Sequence, residues 1–112
     1  MTDVHVTIPV VQTQEGSSFT ATAYFRLAGT ASASTTAKYR VDCLTTNKVI
    51  TDWTSLTPAV SIEIPVTATH NAIQSQTNRI EKKQLTVASD PDTSTQTRDI
   101  STWNVKNLRN VS

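Results

Sequence analysis

The chain has 112 residues, 10 Lys+Arg against 9 Asp+Glu and 37% hydrophobic side chains, which suits one domain over residues 1–112 that can bury roughly two-thirds of its unfolded surface. A formal net charge of +1 with interspersed signs supplies no long-range field toward nucleic acid or an anionic membrane, so neither is expected as a partner. A single cysteine excludes an intrachain disulfide and a cysteine-based zinc site.

The hydrophobic period is two rather than 3.6 in nearly every patterned segment, and the 21 Thr of the chain favour pleated, half-buried surfaces, so an all-β protein is expected. Val4 to Val11 reads as a strand carrying Pro9, which cannot donate to a central ladder and so belongs at an edge. Gln12 to Ser18 then turns the chain. Phe19 to Leu27 is the clearest strand, with Phe19, Ala21, Ala23, Phe25 and Leu27 on one face and Thr20, Thr22, Tyr24 and Arg26 on the other. Ala28 to Ala37 is low in complexity and fits a flexible loop.

Lys38 to Leu44 alternates with Tyr39, Val41 and Cys43 inward, and Thr45-Thr46-Asn47-Lys48 makes a hairpin-like turn into Val49 to Trp53. Val60, Ile62, Ile64 and Val66 face inward on the next strand, with Pro65 pointing out. Thr67 to Asn78 is a polar connection, and Arg79 to Ser89 is a strand whose inward pair is Leu85 and Val87. Asp90-Pro91-Asp92-Thr93 is a turn by its chemistry. The last stretch offers Ile100, Trp103, Val105 and Leu108 as apolar contacts. About seven short strands with regularly spaced turns predict an antiparallel two-sheet β-sandwich, immunoglobulin-like or fibronectin-III-like. The Cys-Trp-Cys spacing of antibody domains is absent, and a jelly roll or small barrel stays open.

Few residues carry a signal for chemistry. Gly16 and Gly29 are the only glycines, so neither a nucleophile elbow nor a phosphate-cradling loop can be written. His5 and His70 have no second ligand at metal spacing. Asp90-x-Asp92-x-Ser94 has the alternating oxygens of a calcium loop but lacks its Gly and closing acid. Glu63 and Glu81 fall in strands at positions read as outward, and Arg79-Ile80-Glu81-Lys82-Lys83 reads as a solvated strand face. Cys43 is expected to be buried, and Trp53 and Trp103 to pack in the core. Asn110-Val111-Ser112 formally matches a glycosylation acceptor, but Met1-Thr2-Asp3-Val4-His5 does not begin a secretion signal. Synthesis in a reducing cytosol is expected, with no catalytic residue, cofactor or metal.

Taken in order, Phe19-Thr20-Ala21-Thr22-Ala23-Tyr24-Phe25-Arg26, Tyr39-Arg40-Val41-Asp42-Cys43-Leu44-Thr45-Thr46 and Asp52-Trp53-Thr54 resemble a family of small tailed-bacteriophage virion-associated proteins. Residues 67–74, 81–87 and 103–108 are similar to its recurrent segments, so the resemblance runs over nearly the whole chain. It implies an immunoglobulin-like structural part of the virion, made in the host cytoplasm, that decorates or cements the capsid shell. A neck or tail connector, or a fibre adaptor, is the alternative. The implied partners are the major capsid protein or other virion proteins, together with further copies of the chain in a homo-oligomer. No catalytic residue carries over, and pairing through the Val4 to Val11 edge is one mode of attachment.

Overall fold

The computed structural model describes residues 2–27, 29–33, 36–75, 77, 79–89 and 97–107. Their period-two patterning resolves into β1 (Thr2–Thr7), β2 (Gln12–Gln14), β3 (Phe19–Leu27), β4 (Thr30–Ala31), β5 (Ala37–Cys43), β6 (Lys48–Leu56), β7 (Ser61–Val66), β8 (Ile80–Ser89) and β9 (Thr97–Lys106). In the first sheet β3 is central, with β1 on one side and β7 on the other, and β4 pairs with the last two residues of β3. The second sheet runs β2-β9-β8-β5-β6 and is antiparallel except for the parallel pair of β2 and β9. The two sheets pack as a β-sandwich.

Seven strands were expected and the described residues hold nine. Pro9 accounts for one of the differences. It has no N–H for a ladder, and the segment expected as one strand from Val4 to Val11 is cut there. Residues 8–11 carry the chain from the first sheet to the second, and Gln12–Gln14 then pairs with β9 where a turn was expected. The other addition is the two-residue β4 inside the segment expected as a loop. The β5–β6 hairpin turns at Thr45–Asn47 as its composition predicts, with Asn47 in the left-handed region at φ 56°, which Asn tolerates better than most residues.

The core lies between the sheets and includes Phe25, Ile64, Val66, Leu85, Val87 and Trp103, each large side chain adding about 1.5–3 kcal/mol by leaving water. Trp103 meets Phe19 edge-on, ring centroids 5.3 Å apart at 88°. Cys43 is buried, as expected. Four apolar expectations fail, that for Trp53 among them. Val60 is 50% exposed just ahead of β7, and its carbonyl accepts the Phe25 N–H at 2.9 Å. Leu27, at the end of β3, is 44% exposed. Ile100 is 53% exposed because the inward positions of β9 are the odd ones, Asp99, Ser101, Trp103 and Val105.

Two of those inward positions are polar and close an edge. Asp99 Oδ2 accepts the Val6 N–H at 2.7 Å, and Ser101 Oγ donates to the Val6 carbonyl at 3.0 Å. Both polar groups of the Val6 backbone are thereby taken by side chains from the opposite sheet, which removes an open template for strand pairing. The edge expected to receive a partner strand is occupied at Val6 by the protein itself.

Candidate functional site

The polar residues that could carry chemistry gather on the inner face of the second sheet. Alternation along β8 puts Glu81 and Lys83 on the same face as Leu85 and Val87, and both are fully buried. The expectation that they lie on a solvated face is overturned. Removing each ion from water costs several kcal/mol unless partners compensate, and partners are present. Lys83 Nζ donates to Glu81 Oε1 at 2.9 Å and to the Ala72 carbonyl at 2.8 Å. Glu81 Oε1 also accepts the Gln74 N–H at 2.7 Å, and Oε2 accepts the Ser75 N–H at 2.8 Å. Cys43 Sγ lies 3.7 Å from the same carboxylate.

All three backbone partners belong to the connection between β7 and β8. That connection is polar, as its sequence predicts, yet it acts as an inner strap rather than a surface loop. Asn71 is fully buried, its Oδ1 accepting the Trp103 Nε1–H at 2.7 Å and its Nδ2 donating to the Ser17 carbonyl at 2.8 Å. Asn71 O accepts the Gly16 N–H at 3.2 Å. Gly16 sits in the turn after β2 at φ 78°, a conformation that glycine adopts without strain. Ile73 completes the strap with an apolar contact to the core.

His70 fastens the strap to β6. Its Nδ1 accepts the Thr67 N–H at 3.0 Å, so the ring proton sits on Nε2 and is donated to Thr51 Oγ1 at 2.9 Å. Burial lowers the His70 pKa below its ordinary 6.5, because a charged ring would lose solvation there. Through the adjacent residues His70 and Asn71 the strap thus bonds to Thr51 on β6 and to Ser17 and Trp103. It fills inner space of the five-stranded sheet that the narrower first sheet leaves uncovered.

The remaining candidates stay apart from this cluster. His5 is exposed, with Nδ1 3.6 Å from Asp99 Oδ2, and Glu63 is exposed on β7. Among the described residues no group of three or more His, Cys, Asp or Glu could hold a metal ion. Asp90, Asp92, Ser94, Leu108 and the Asn110-Val111-Ser112 triplet lie outside the described residues. A shallow open groove borders Phe19, Thr20, Pro65 and Ala68 without a titratable side chain in its lining. Trp53 does not join Trp103 in the core. It is half-buried on the outer face of the second sheet, 5.2 Å from the Arg98 guanidinium.

Sequence reasoning missed Glu81, Lys83 and Asn71 as buried groups. For the first two the signal was their shared parity with Leu85 and Val87. For Asn71 there was none, since its burial depends on Trp103 and Ser17 from distant strands. In comparisons with known proteins, no family model, no curated protein and no solved structure matches this chain.

Proposed function

We propose that this chain is a non-enzymatic structural protein of a bacteriophage particle that decorates or cements the capsid shell by protein–protein contact. The observation that carries the reading is where the reactive side chains point. Glu81, Lys83, His70 and Asn71 bind the protein's own backbone or buried partners, which leaves sheet faces and edges as the surfaces that meet other molecules. Of the segments that resemble the phage family, residues 67–74, 81–87 and 103–108 contain His70, Asn71, Ile73, Glu81, Lys83 and Trp103, which form the strap and its anchors. They therefore support a shared scaffold rather than a shared catalytic site.

The partners in this reading are the major capsid protein or other virion proteins, with several copies of the chain arranged by the symmetry of the particle. A neck or tail connector is the second reading, favoured by shape. The molecule extends 50 × 23 × 18 Å, and its radius of gyration of 14.9 Å exceeds the roughly 13 Å of a compact chain of this length. Quantitative mass spectrometry of gradient-banded particles separates the two. Copies scaling with the major capsid protein mean a shell component, a small number matching a tail ring means a connector, and absence from the particle rejects both.

A further inference from the structure

We propose that the outer face of the second sheet, centred on Ala88 and Thr86, is a docking surface for an acidic protein segment. In register, Lys38 and Arg98 flank Ala88, while Arg40 and Ile100 flank Thr86. Ala88 is fully buried and Thr86 nearly so, although both point away from the core. Long neighbouring side chains must therefore lie across them, keeping their charged ends in water.

Two of these cations are held in place before any partner arrives. The Arg98 guanidinium packs against the Trp53 ring at 5.2 Å, reaching toward β6 from β9 with two strands between. Arg40 Nε donates to Asp42 Oδ1 at 2.8 Å, one of the five N–H donors of its guanidinium. Pre-positioned guanidiniums lose less freedom when they bind carboxylates, and their planar forks match that group.

The charge balance identifies the partner. On β5, β8 and β9 the outward positions of the described residues carry Lys38, Arg40, Lys82, Arg98 and Lys106 against Asp42, and Asp52 on β6 also faces Arg40, so cations outnumber anions on this face of a chain whose total is +1. Asp52 on β6 accepts the Trp53 N–H at 2.8 Å. Single-stranded nucleic acid would also meet these cations, but its bases need an aromatic face on which to stack. The Arg98 guanidinium covers the Trp53 ring, and the exposed apolar groups of this face include Val49, Ile80 and Ile100, which suits a protein surface.

The inference rests on the binding role proposed above but not on a place in the particle, so the two fail separately. A labelled oligoglutamate peptide is titrated with the full chain at low ionic strength and followed by fluorescence anisotropy, with oligothymidylate measured in parallel. Binding is expected, about tenfold weaker in Arg40→Gln and in Lys38→Gln, and unchanged in Arg26→Gln, which alters the first sheet. Circular dichroism checks that each variant is folded. No binding, equal weakening by Arg26→Gln, or tighter binding of oligothymidylate would overturn the proposal.

Discussion

Glu81 and Lys83 stand two residues apart on one strand and meet at 2.9 Å with both side chains fully buried. Their attraction makes up part of the solvation both ions lose, and the backbone of the strap supplies further partners. Removing one partner leaves the other ion buried and uncompensated, so Lys83→Met should destabilise the fold by about 3–5 kcal/mol. Glu81→Gln should cost a similar amount. Urea denaturation measures both, and a loss below 1 kcal/mol for either would show that water reaches the pair.

Replacing both residues separates pairing from fastening. A buried ion pair exchanged for apolar side chains is often neutral in stability. Here Glu81 also accepts the Gln74 and Ser75 N–H groups, and each orphaned donor costs about 1–3 kcal/mol. The double variant Glu81→Leu/Lys83→Met should therefore remain less stable than the parent. Parent-like stability would mean that the strap stays docked without the carboxylate.

Acid should loosen the strap at His70. Its folded pKa lies below 6.5 through burial, so below that pH the unfolded chain binds more protons than the folded one, and stability falls as pH falls. At pH values where the ring is neutral in both states it contributes no slope. Urea midpoints should drop between pH 7.5 and 5.5 in the parent and less in His70→Gln, and equal slopes would exclude His70 as the group responsible.

Asn71 joins the strap to the core through the Trp103 indole. Asn71→Leu leaves that N–H and the Ser17 carbonyl without their partner and should cost about 1–3 kcal/mol for each buried group. A change in tryptophan emission should accompany the loss. Unaltered emission and stability would place a solvent molecule at both groups.

The Asp99 carboxylate guards the β1 edge through the Val6 N–H. Asp99→Ala should speed hydrogen exchange at Val6 and promote concentration-dependent association, since it reopens a strand template. Retained protection at Val6 would mean that the edge is sealed by other contacts.

What the sequence revealed depended on how local the cause was. Phe19–Leu27 is legible because nine residues alternate without a break, and the β5–β6 turn because Asn47 suits its backbone. β2 is not, since Gln12–Gln14 has no apolar alternation and exists as a strand only beside β9. Glu81 and Lys83 were misjudged by charge although their parity with Leu85 was present. Trp53 was misplaced because the pairing of β5 with β6 shifts register between Tyr39 and Val41, and such a bulge changes which face a side chain takes. Asn71 and His70 owe their burial to contacts with strands remote in sequence, which no local pattern encodes.

The central claim is that this domain acts by binding other proteins of a particle. Its most direct test is a titration of the purified chain onto phage particles that lack it, with bound copies counted after gradient separation. Saturable binding, at a number commensurate with the symmetry of the shell or tail, is the expected result. Failure to bind intact particles and empty shells, with the chain folded in solution, would contradict the account.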